Sequence, residues 1–229
     1  MAEVSEEAKL KMRQKLKSLG CAFGIEFPSE AADLEKTILE CLPYYWRYND
    51  FFFMCFSALK LQLHSLVNVD RLVSLAEKAS LTNDELCLLL AVSQRMVDLN
   101  DLRFEQVIEN FRKSGLRVKT IPRDEDDPHL ISQWGVEKSL EPYGVRVRAF
   151  YEEAQKKFYV LDGILKNNEW LRIRSKIGAN FKADVAYFKI SGKATSATEA
   201  ARLAGCTLQE AKRHWKALAH VSRIDNLVA

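Results

Sequence analysis

Glycine and proline are scarce in this 229-residue chain, at nine and five residues, and they cluster in a handful of places. Long stretches therefore lack both the residue that loosens a backbone and the one that breaks a helix, which predicts long uninterrupted helices. The five cysteines (Cys21, Cys41, Cys55, Cys87, Cys206) form no Cys-x-x-Cys pair, and their odd number and wide spacing exclude a disulfide framework. They read as reduced core thiols of a cytoplasmic protein. The opening MAEVSEEAKLKM has no basic-then-apolar leader. The most apolar run, residues 51–67, is interrupted by Lys60, Gln62 and His64, so no membrane span is expected.

Catalytic and metal-binding spacings are missing too. There is no phosphate-cradling glycine loop, no G-x-S-x-G, no H-E-x-x-H and no G-x-G-x-x-G. The four histidines are scattered, and His64 has no second His or Cys at i+3 or i+4. Asp124, Glu125, Asp126 and Asp127 precede His129, but consecutive loop residues cannot easily converge on one cation, and the run lacks the EF-hand pattern. The chain is therefore not read as an enzyme, and no cofactor and no metal are expected.

What is present is an uneven distribution of charge. The whole chain carries only +3, yet residues 172–229 hold 11 Lys+Arg against 4 Asp+Glu, a net of +7. Residues 1–171 hold 23 basic and 27 acidic residues, a net of −4. A basic module attached to a mildly acidic body is the footprint of a nucleic-acid-binding end. With 48% hydrophobic and 28% charged residues, the body has the composition of a globular domain.

Along that body the pattern is helical. A charged helix over residues 4–19 carries Lys9, Lys11, Arg13, Lys15 and Lys17 as a solvated face. Pro28-Ser29 turns into a helix over 31–41. Residues 44–56 hold eight aromatic side chains in thirteen positions, read as core, with a ligand pocket or a dimer surface as the sharper alternative. Leu59, Leu63 and Leu66 continue a helical stripe, and Thr82 to Glu85 starts another helix. Residues 115–121 alternate as a short strand would. Residues 145–165 read as one long helix with Val147, Phe150, Ala154, Phe158 and Leu161 on a stripe, offering a surface for a twin. Asn167-Asn168 is expected to hinge body and module.

The densest signal lies in residues 196–218, SATEAARLAGCTLQEAKRHWKAL. Ser196 or Thr198 can cap a short helix, Gly205 can supply the left-handed turn, and Thr207 can cap a second helix. In that helix Ala211, Trp215 and Leu218 share a buried stripe, while Gln209, Lys212, Arg213 and Lys216 face out. Two short helices joined in this way form a helix-turn-helix.

E-A-A-R-L-A-G-C-T-L-Q-E-A-K-R-H-W-K-A-L resembles the helix-turn-helix of bacterial transcription regulators. The preceding R-x-R-x-x-I-G-A-N-F-K-A-D-V, residues 172–185, is similar to the lead-in of winged-helix domains. The likeness covers about a quarter of the chain. Eleven residues follow Leu218, so the wing is expected to be a single strand near 223–228, unless the chain stops short of it.

These readings combine into an all-α protein: an N-terminal helical body over 1–168, for dimerisation or ligand sensing, and a helix-turn-helix, or reduced winged-helix, domain over 169–229. The resemblance implies a cytoplasmic, DNA-binding transcriptional regulator. Its partners would be double-stranded DNA, a second copy of the chain and a small-molecule effector held in the body. The expected DNA contacts are Thr207, Gln209, Lys212, Arg213 and Lys216, with Arg202 and Lys193 beside them. The competing expectation is a helical protein-interaction module that binds no nucleic acid.

Overall fold

Short polar residues start most of the helices. Ser5, Asp33, Asn68, Asn168, Asn180, Ser196 and Thr207 each accept a hydrogen bond from the backbone N–H three residues on. Thr82 and Glu85 form a reciprocal capping box. The structure, a computed structural model, describes residues 4–112, 132–133, 135–149 and 152–218. The expected strand over 115–121, the acidic run with His129 and the expected wing near 223–228 lie outside these residues.

The fold is all-α. The body contains α1 (Glu6–Ser18), α2 (Leu34–Cys41), α3 (Tyr44–Arg47), α4 (Asn49–Ala58), α5 (Val69–Lys78), α6 (Asn83–Asp98) and α7 (Glu105–Phe111). A widened helical turn, Leu59–Leu63, continues α4. Then follow α8 (Leu161–Asn167), α9 (Glu169–Ile177), α10 (Phe181–Ile190), α11 (Ala197–Ala204) and α12 (Leu208–Ala217). No strand occurs among the described residues, only the isolated antiparallel bridges Cys21↔Phe158 and Val136↔Arg148. Among the same residues, no helix is long and apolar enough to cross a membrane.

The aromatic segment is the body's core. Tyr45, Phe51, Phe52, Phe53 and Phe56 are all buried, with Tyr44, Trp46 and Tyr48 at the margin. The Tyr45 hydroxyl accepts a hydrogen bond from the Arg146 backbone N–H at 2.7 Å, satisfying its polar end. Leu59, Leu63 and Leu66 face inward as their spacing predicts. All five thiols are free, four of them buried. His64 is a satisfied side chain, with Nδ1 3.0 Å from an Asp101 carboxylate oxygen.

The expected long helix over 145–165 does not form. Gly144 closes a 3-10 turn (Lys138–Tyr143) in the left-handed conformation, at φ +73°, and the chain then runs extended. Val145 and Val147 point inward while Arg146 faces solvent. Residues 145–147 thus alternate with the period of two of a strand, up to the buried Arg148, and the looser three-and-four spacing of Val147, Phe150 and Phe158 obscured it. A 3-10 segment (Glu152–Lys157) follows, and only Leu161–Asn167 is α-helical. The long helix offered as a dimer surface is thus absent. Asn168 is not a hinge either. It is fully buried, caps α9, and its amide donates to Ser18 Oγ at 3.1 Å. A buried, bonded cap fixes the chain where a hinge would need it loose.

Candidate nucleic-acid interface

α10, α11 and α12 pack on one another, and α9 lies against α10. Ala183, Ala186, Ala200, Ala204 and Ala211 are buried where these helices meet. Small side chains let the short helices approach closely, and Trp170, Tyr187 and Phe188 fill the remaining space. The Trp170 and Tyr187 rings stack at 4.6 Å with an interplanar angle of 12°.

The α11–α12 pair has the local geometry its residues dictate. Ser196 is the first cap, accepting from Glu199 N at 3.2 Å, and the Glu199 carboxylate accepts in turn from Thr195 N at 2.7 Å. Gly205 sits at φ +78°, a left-handed C-terminal turn that a side chain would strain. Thr207 is the second cap, accepting from Glu210 N at 3.2 Å.

α12 divides cleanly. Ala211 and Leu218 are buried, and Trp215 and His214 are partly covered. Leu208, Gln209, Lys212, Arg213 and Lys216 are exposed. The exposed face carries three cations and no acid. Glu210, the one carboxylate of the helix, lies at the margin, and its oxygen is 4.0 Å from Arg213. His214 is held below its ordinary pKa by partial burial and by the neighbouring Arg213 charge. Trp215 is less covered than its place in the stripe suggested.

The other expected contacts are distributed differently. Thr207 is exposed, but its hydroxyl is occupied as the cap. Arg202 is exposed on α11. Lys193 is drawn toward the body: its Nζ bonds to Glu30 at 3.2 Å and lies 5.6 Å from the Tyr187 ring centroid. Sequence spacing gave no sign of Lys189 as a support. Its ammonium donates to the backbone oxygens of Trp215 and Leu218 and lies 5.1 Å from the Trp215 ring centroid. It thereby holds the C-terminal end of α12 from the neighbouring helix.

The unit is joined to the body by a buried ionic network. Arg174 donates to Glu35 at 2.6 and 2.8 Å and, through Nε, to Asp184 at 2.8 Å. Asp184 also accepts from Trp170 Nε1 at 2.6 Å and from Asn68 Nδ2 at 2.7 Å. Arg71 is bidentate to Asp33, at 2.6 and 2.7 Å, and donates to Glu35 at 2.8 Å. Both guanidinium carbons lie about 5 Å from the Trp170 ring centroid, at 4.9 and 5.1 Å. Three carboxylates face two guanidiniums, and Lys36 Nζ stands 3.7 Å from Asp33 at the outer edge. Burial alone would lower the pKa of Arg174, but Asp184 and Glu35 hold it above its ordinary value. Arg71 also donates to Leu203 O at 3.2 Å, and Ser74 to Gly205 O at 2.9 Å. α5 is therefore seated on the α11–α12 turn, bonding carbonyls that the end of α11 leaves open.

The junction has a pH signature. Burial pushes the Asp33 carboxyl pKa up, but the hydrogen bonds and charge of Arg71 outweigh this and hold it below its ordinary value. A depressed carboxylate contributes stability that is complete above its unfolded pKa and lost as pH falls through the folded one. The difference in urea stability between the wild type and Asp33→Asn is therefore expected to be constant from neutrality to about pH 4 and to shrink below it. A difference that does not change down to about pH 2 would remove the ionised Asp33 from the junction.

Comparison with protein-family models, with curated proteins and with solved structures finds no match to this chain.

Proposed function

We propose that the C-terminal unit binds double-stranded DNA through the exposed face of α12, and that the chain is a DNA-binding transcriptional regulator of the cytoplasm. The observation that carries this reading is the segregation on α12: Gln209, Lys212, Arg213 and Lys216 share one uncovered, acid-free face on a helix capped at both ends. In this reading Gln209 pairs with adenine and Arg213 with guanine, since each matches a two-pronged donor and acceptor pattern in the major groove. Lys212 and Lys216 meet phosphates as flexible point charges, and Leu208, 42% exposed, meets a thymine methyl group. Thr207 serves by capping, Arg202 adds a phosphate contact from α11, and Lys193 is a weaker contributor because Glu30 competes for it. A two-fold homodimer would suit palindromic half-sites.

One observation favours a second reading, a helical protein-interaction module without nucleic-acid binding. α5 sits directly on the α11–α12 turn through Arg71 and Ser74, so the unit is integrated with the body as an end-piece of a bundle would be.

Fluorescence anisotropy with a random duplex at two salt concentrations separates the two. Wild-type affinity is expected to fall steeply with salt. Lys212→Ala with Lys216→Ala should lower the log–log salt slope by about two, and Arg213→Ala should cost about 1–3 kcal/mol on a selected site while relaxing base preference. All three side chains are exposed, so the fold should be unaffected. Unchanged duplex affinity at low salt in the triple variant would put the interaction module in place of the DNA reading.

A further inference from the structure

The body holds a cleft of about 500 Å³ that neither the α12 face nor the ionic junction uses. Phe23, Tyr48 and Phe51 form one of its walls. Phe51, 1% exposed, meets Phe23 edge-on at 6.5 Å and Tyr48 at 4.6 Å, so it backs the two partly exposed rings from the core. Arg13 reaches the cleft from α1. It is partly buried, and among the described residues it makes no hydrogen bond or ion pair; Glu6, two turns back on the same face of α1, is fully exposed. Arg148, also in the lining, is buried; it bonds to Asp50 and lies 4.0 Å from the Phe53 ring centroid. Lys157 adds a third cation to the lining, where Asp50 is the one acid among the described residues. Gly24 borders open space: a Cβ placed there meets nothing within 4 Å.

A partly buried Arg13 that lines the same cleft as Phe23 and Tyr48, with no bonded carboxylate among the described residues, suits a planar anion. A carboxylate can take two parallel N–H bonds from Arg13, and a flat ring can lie on Phe23 and Tyr48. Asp50 is already engaged by Arg148, so it does not pair Arg13. The volume suits a compact organic acid with one or two fused rings. We propose that this cleft is a binding site for a small aromatic carboxylate, with Arg13 holding the carboxylate and Phe23 and Tyr48 holding the ring. The proposal stands independently of whether α12 meets DNA.

Isothermal titration of the full chain tests it with three acids (2-naphthoate, indole-3-carboxylate and salicylate) and the neutral isostere 2-naphthamide. At least one acid is expected to bind saturably at one site per chain, and naphthamide at least about tenfold more weakly than naphthoate. Arg13→Gln should weaken the acid by about tenfold or more while leaving naphthamide unchanged. Gly24→Leu should abolish binding by filling the open space. Gly24 has no positive φ and Arg13 no bonded partner among the described residues, so both variants should melt as the wild type does by circular dichroism. The proposal is overturned if no acid binds at millimolar concentration, if Arg13→Gln binds the acids as tightly as the wild type, or if Gly24→Leu leaves binding intact.

Discussion

Replacing Arg174 with alanine is expected to cost about 3–5 kcal/mol and to loosen the junction between body and C-terminal unit. Arg174 is 1% exposed, and its guanidinium is the only cation bonded to both Glu35 and Asp184 among the described residues. Its removal leaves two fully buried carboxylates, one satisfied by Arg71 and Asn68 and the other by Trp170 and Asn68 alone. Uncompensated buried charge is far more costly than the net worth of the pair. Replacing Arg174, Glu35 and Asp184 together with apolar residues of similar volume should recover only part of the loss, because Trp170 Nε1, both Asn68 donors and one Arg71 donor then lose their acceptors. Urea unfolding of the single and triple variants measures this. A single variant within about 1 kcal/mol of the wild type would mean that water reaches the junction and the charges are not buried as described. Arg174→Lys should fall between, since a single ammonium cannot reproduce the fork that reaches both acids.

The second large effect concerns tryptophan. Position in the α12 stripe marks Trp215 as the side chain on which the unit depends, but the structure moves that role to Trp170. Trp170 is 4% exposed, stacks on Tyr187, lies edge-on to Phe188, receives both network guanidiniums over its ring and donates to Asp184. Trp170→Ala is expected to cost about 3–5 kcal/mol, from the lost transfer energy, the cavity and one unfilled acceptor of Asp184. Trp215→Ala should cost less, because Trp215 is partly exposed where Trp170 is buried. Chemical denaturation of the two variants side by side checks the order, and an equal or larger loss for Trp215→Ala would reverse it. Trp170→Phe separates the contributions: it keeps most of the volume and loses the donor, so its cost reports the Asp184 hydrogen bond.

Much of the candidate interface could be read without coordinates. Ser196, Gly205 and Thr207 act through bonds to residues three or four positions away, so their identity and spacing suffice to place two helices and a turn. The exposed set Gln209, Lys212, Arg213 and Lys216 follows from the same helical period that buries Ala211 and Leu218. The motif around residues 172–185 was visible as a pattern, but its reason was not. Arg174 and Asp184 are bonded to each other at 2.8 Å, and Asn180 between them caps α10. Part of the basic character of the C-terminal segment is thus spent inside the protein, and the surviving surface charge is carried by α12, Arg202 and their neighbours.

The failures share one cause. Residues 145–165 offered two periods at once, and the choice between them was made by partners distant in sequence. Val136 bridges Arg148, Tyr45 receives the Arg146 N–H, and Gly20 O receives the Tyr159 N–H at 2.8 Å. Asn168 looked like a joint because Asn-Asn favours turns, yet the buried Ser18 and Ala32 turn its side chain into an anchor. Composition, caps and hydrophobic period determined that the chain is helical, where most helices begin and which side of α12 meets water. These are interactions within a few residues, and they are encoded locally. Only tertiary packing decided that Arg174 meets Glu35 across 139 positions and Asn68 meets Asp184 across 116. It likewise decided that α5 rests on the α11–α12 turn, and that Arg13 lines a cleft with Phe23 and Tyr48. A buried ion pair or a cleft depends on which surfaces exclude water together, and no linear spacing records that.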